Sequence, residues 1–179
     1  MARLTEPNRE ELDAAGQQIW DEISGPRGGV HGPYAMLMHV PPLAQLVAQL
    51  GEHLRFQGTL PGHVRELAII TTGRSLNAKF EWFKHAPLAV KEGVPMATIE
   101  AVRSERYDSI DGHDGLVVSI ARSICTKQSL TDDLFSLGKT ELGEALLVEL
   151  ITLVSFYTMI ADVIRCFDIQ LPAGEPAPW

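Results

Sequence analysis

The chain has 179 residues, 45% of them hydrophobic and 21% charged, enough for one sizeable core, so a single domain over residues 1–179 is expected. Its 15 Lys and Arg against 23 Asp and Glu leave a formal charge of −8, which opposes nonspecific attraction to nucleic acid and to anionic membrane. The opening MARLTEPNREELD is charged from its third residue and lacks an apolar core of about 7 to 15 residues, so it does not read as a secretory signal and a cytoplasmic address is expected.

In chain order, Asn8 is suited to cap a first helix reaching residue 23, with Leu12, Ile19 and Ile23 facing inward and Gly25-Pro26 ending it. The stretch SGPRGGVHGPYAMLMHVPPLA then predicts a turn leading into a short helix, followed by a helix over 43–56. Pro61 opens a helix to about residue 76, with Val64, Leu67, Ala68, Thr71 and Thr72 as its inward stripe. Asn77 is placed to cap the next helix, which Gly93 closes and in which Pro87 should introduce a kink or a new turn. Helices over 96–103, 115–126, 131–137 and 145–167 complete a set with little strand signal. The fold class is all-α.

The most apolar stretch, 145–164, is interrupted by Glu149, Thr152, Ser155, Thr158 and Asp162, which a membrane span tolerates poorly. It reads as a buried or oligomer-forming helix. Cys125 and Cys166 form neither a CxxC pair nor a zinc-ligand cluster, and in a reducing compartment they serve as small buried hydrophobes.

Glu81 and His85 are four residues apart on a helix, so both project from one face, and a carboxylate beside an imidazole makes a proton-transfer pair. The plainer reading is an exposed helix pair worth roughly 0.2–0.5 kcal/mol. The surrounding pattern separates the two. From Arg65 the chain reads RELAIITTGRSLNAKFEWFKHAPLAVKEGVPMATIEAV, which closely resembles the carboxymuconolactone decarboxylase family, within the AhpD-like superfamily. In its AhpD-like peroxidases the signature is Glu, eleven residues, Cys, two residues, Cys, three residues, His; here Glu66, Ala78, Glu81 and His85 stand at that spacing. Peroxide reduction needs a thiolate and a resolving thiol, and neither Ala78 nor Glu81 supplies one, so thiol peroxidase activity is excluded at this motif.

The decarboxylase branch is the better match, and the resemblance implies an AhpD-like helical fold, a cofactor-independent carbon-carbon lyase and catalytic roles for Glu81 and His85. It covers residues 8–104 well and the last helix only by its apolar character. The implied substrate is a small carboxylated lactone or a related ring-cleavage acid from aromatic catabolism. His85 would transfer a proton or bond the developing oxyanion, and Glu81 would orient His85 or act as the acid. Glu66 belongs to the proton relay in the peroxidase branch; here it is either catalytic or, with Arg65, a buried ion pair.

Arg74, eight residues beyond Glu66 and near the same helix face, is a candidate anchor for a substrate carboxylate or else a surface salt bridge. His31 and His39 sit in the Gly-Pro-rich entry segment and are candidate substrate contacts or structural histidines, and Trp82 and Tyr157 either line a pocket or fill the core. His85, Glu81, Glu66 and His39 are also of metal-ligating types, but the resemblance implies no metal and no cofactor. It further implies a homo-oligomer, a trimer or hexamer. The same acid-base pair would equally serve a hydrolase, hydratase or isomerase on a similar acid, and a fold that has lost its cysteines could also serve as a non-catalytic binding or assembly module.

Overall fold

The computed structural model describes residues 2–179, and among these the chain is all-α, with eight α-helices and no strand. It forms two compact units: one from the chain up to Gln57 together with Asp162–Gln170, the other from Gly58–Ala161 together with Leu171–Trp179.

In the first unit, α1 (Ala14–Arg27) starts five residues later than Asn8 predicts. Two residues compete to begin it. Asn8 precedes only a 3₁₀ turn, Arg9–Glu11, its N–H donating to the Glu11 carboxylate at 3.0 Å, and Leu12 is then extended. The charged Asp13 carboxylate is the stronger cap, accepting from the Gly16 N–H at 2.8 Å at the positive end of the helix dipole. The helix also runs through Gly25-Pro26 and stops at Gly28, where the backbone turns left-handed. Prolines at their first positions open α2 (Pro33–Leu37) and α3 (Pro41–Glu52), and α3 passes into a wider π-type turn, His53–Gln57. Ile23, Val30, Ala35, Met38, Ala44 and Ala48 form the buried core of this unit, flanked by Leu12, Ile19, Trp20, Tyr34 and Leu37. Three of the six are alanines, so helices approach closely here and little apolar volume is enclosed.

The second unit is built around α4 (Gly62–Ser75), which packs against α5 (Lys79–Lys91), α6 (Met96–Arg103) and α7 (Gly112–Cys125). The expected stripe is buried, and so are Ile69, Ile70 and Gly73, leaving every residue from Glu66 to Gly73 inside. A helix buried on all sides belongs in the centre of a fold, and the charged group it carries there, Glu66, must find partners inside. Asn77 is not the cap of α5: it takes φ +54, and Ala78 holds the cap position. α5 continues through Pro87 without a new turn starting there; the ring is exposed, so water can serve the Phe83 carbonyl that loses its helical partner.

Residues of α8 (Asp132–Phe167) up to Ala161 also belong to this unit. The two helices expected there are joined through Gly143, at φ 79 and ψ 165, a conformation open to glycine and strained for any other residue. Leu147, Leu150, Leu153, Val154, Tyr157 and Ile160 form its buried face. By length and composition α8 could cross a membrane, but half of its most apolar window is buried within the protein. Its Glu149 carboxylate is engaged as well, accepting from the N–H groups of Thr59 and Leu60 at 2.8 and 3.0 Å.

Candidate acid-base site

The α4–α5 connection sets the site. Gly73 packs directly on the start of α5: a Cβ there would meet the Trp82 backbone nitrogen at 3.4 Å and the Glu81 Cβ at 3.5 Å, ordinary contact distances. The Ala78 N–H bonds the Gly73 carbonyl at 2.7 Å. Glu66 lies seven residues before Gly73 and His85 seven after Ala78, so two helical turns along an antiparallel pair they arrive side by side. His85 Nδ1 is 2.7 Å from Glu66 Oε2.

The other edge of the imidazole faces Glu81 and α8. His85 Nε2 lies 3.5 Å from Glu81 Oε2 and 3.3 Å from the Tyr157 hydroxyl, whose ring meets the imidazole edge-on at 5.1 Å between centroids. Glu66, Glu81 and His85 are 1%, 5% and 4% exposed, so these contacts operate out of water and count for more than their surface equivalents. The second Glu66 oxygen accepts from Arg65 Nε at 3.1 Å, and Arg65 Nη2 lies 3.8 Å from Glu92. Glu66 is thus an ion-pair partner of Arg65 and the carboxylate on His85 Nδ1 at once.

The chemistry follows from which nitrogen faces which group. A carboxylate on Nδ1 accepts a hydrogen bond, which places a proton on that nitrogen and leaves Nε2 as the atom that exchanges. For the approach of Glu81 to Nε2 to be attractive, a second proton must sit on one of the two. With Nδ1 engaged by Glu66, Nε2 is the ring atom that faces both Glu81 and the Tyr157 hydroxyl. Glu66 and Glu81 stand on opposite edges of the ring and do not converge on a common point; among the described residues, no group of three His, Cys, Asp or Glu is placed to hold a metal ion.

The remaining sequence candidates lie elsewhere. Arg74, at the opposite end of α4 from Glu66, donates from Nε to the Arg103 carbonyl at 2.7 Å, pairs with Glu105 at 3.2 Å and lies under the ring of Trp179 at 4.5 Å. Trp82 is buried, its ring nearly perpendicular to that of Trp179 at 5.3 Å between centroids. His31 and His39 belong to the first unit, where both are exposed and His39 Nε2 lies 3.0 Å from the Thr5 carbonyl, so the partial burial expected for His39 is not found. Neither thiol stands at the motif: Cys166 is exposed in the first unit, and Cys125 is buried on α7, where burial pushes its thiol up against the opposing pull of the Thr72 and Thr158 hydroxyls. Sequence reasoning missed the Trp179 contacts; an isolated tryptophan in an otherwise polar, Pro-rich stretch was the available signal. Compared with known proteins, the chain matches no family model and no curated protein sequence.

Proposed function

We propose that the chain is a cofactor-independent lyase of the carboxymuconolactone decarboxylase type, cytoplasmic and homo-oligomeric, acting on a small carboxylated lactone or related ring-cleavage acid. The observation that carries this reading is His85 held at Nδ1 by buried Glu66 at 2.7 Å, with Nε2 turned toward Glu81. In the reaction the bond to the carboxylate carbon breaks, its electron pair moves into the conjugated lactone carbonyl, and CO2 leaves. A proton then passes to the ring carbon, so carboxylate plus proton gives CO2 and a C–H bond, with no net oxidation or reduction. Glu81 with His85 Nε2 supplies that proton, Glu66 fixes the ring, and the Tyr157 hydroxyl is the neutral donor for the developing enolate oxygen.

A second reading, a non-catalytic binding or assembly module, is favoured by the Arg65–Glu66 contact, since an ion pair locked against a buried histidine also serves to fix two helices. A thermal-shift screen of γ-carboxylated butenolides and short dicarboxylic acids, followed by CO2 release on each hit, separates the two. The lyase reading expects a hit that releases CO2, with the rate falling about 10²–10⁴-fold in Glu81→Gln and His85→Ala. Stabilising ligands without turnover, or variants with unchanged rates, support the module.

A further inference from the structure

Segment 171–179 is irregular and exposed from residue 172 to 177, then returns to the protein surface at Pro178 and Trp179. Its end is held at four points within the second unit. The Trp179 ring lies over the Arg74 guanidinium at 4.5 Å and meets Trp82 edge-on at 5.3 Å. Its Nε1–H donates to Asn77 Oδ1 at 2.8 Å, and Arg103 Nε donates to the Pro178 carbonyl at 2.6 Å. The seat is built where two packed helices end: Arg74 lies in the last turn of α4 with Asn77 just beyond it, and Arg103 ends α6 with Glu105 just beyond it. Asn77 and Glu105 hold left-handed conformations just past those ends, at φ 54 and φ 57.

The groups gathered there have the chemistry of a ligand site. A guanidinium face and a near-perpendicular indole bind a flat ring, and an amide oxygen accepts a ring N–H. A carboxylate already occupies the guanidinium edge, but it belongs to Glu105, whose side chain is 54% exposed and free to move aside. Trp179 and Glu105 together present a planar N–H aromatic and a carboxylate in adjoining positions. The geometry points to a binding site for aromatic carboxylates bearing a ring N–H, occupied in this state by the chain's own Trp179. A short exposed connection keeps Trp179 at a high effective concentration over its seat, so a ligand must compete with it. The inference does not depend on the acid-base reading, because Glu81 and His85 contribute nothing to the seat.

Indole-3-acetate is the probe, titrated by calorimetry into the full chain. Trp179→Ala should bind it about tenfold or more tightly than wild type. In that background Arg74→Lys, which keeps the charge but loses the planar face, should remove the gain. Equal binding by wild type and Trp179→Ala overturns the proposal, and so does a gain that survives Arg74→Lys. Should Trp179→Ala fail to fold, the wild-type Trp179 indole N–H resonance gives the answer: it moves on saturation with the probe if the ring is displaced, and an unmoved resonance overturns the proposal.

Discussion

Two histidines of the second unit meet a carboxylate at the same 2.7 Å, His63 with Asp114 and His85 with Glu66. His63 stands in the first turn of α4 and Glu66 three residues on, so one helix contributes to both pairs. The side chains of the first pair are 32% and 18% exposed, those of the second 5% and 2%. Around His63, water competes for both partners and the pair is a contact that can open at small cost. Around His85 neither partner has water to fall back on, and Arg65, Glu81 and Tyr157 add to the cluster. Distance alone does not distinguish a surface contact from an organised proton site; what surrounds the pair does.

The comparison breaks first at Glu66→Ala, which strands both His85 Nδ1 and Arg65 Nε inside the fold. Urea unfolding should show a loss of about 3–5 kcal/mol, and a loss below 1 kcal/mol would make the two pairs equivalent. Tyr157→Phe removes only the hydroxyl 3.3 Å from Nε2, with an expected cost of about 1 kcal/mol by the same measurement. Asp114→Ala should cost no more than about 1 kcal/mol, because His63 remains solvated. The smallest effect concerns two thiols that differ in the same way. With 5,5′-dithiobis(2-nitrobenzoate) near pH 8, exposed Cys166 should react fast. Cys125, its thiol pushed up by burial and therefore holding less thiolate at that pH, should react only slowly until the chain is unfolded. Two equally fast thiols would contradict the burial on which the comparison rests.

Much of this was legible in the residues. Glu81 and His85, four apart on one helix, do share a face and lie within 3.5 Å, and the spacing of Leu150, Leu153 and Tyr157 marks a single buried side of α8. The all-α class followed from helical periodicity along the chain and from the scarcity of strand signal. Boundaries failed where two residues had similar chemistry: Asn8 and Asp13 are both good caps, and only the extended backbone at Leu12 decides between them. Which carboxylate holds Nδ1 was not legible, because Glu66 and Glu81 are both in reach and the choice depends on the register in which α4 and α5 pack. The Tyr157 contact spans 72 residues and depends on the rotation of α8 about its axis, which a hydrophobic stripe specifies only to within a side chain. The Trp179 seat follows no periodicity, and its components come from three separate parts of the chain.

The most direct test of this account is the nitrogen spectrum of the histidine side chains, by long-range ¹H–¹⁵N correlation on the wild-type protein with His85→Ala and His63→Ala for assignment. The account predicts that His85 carries a slowly exchanging proton on Nδ1, bonded to Glu66 and lost from that position in Glu66→Ala, while His63 exchanges fast with water. A His85 protonated on Nε2 with Nδ1 bare, or exchanging as fast as His63, would contradict it.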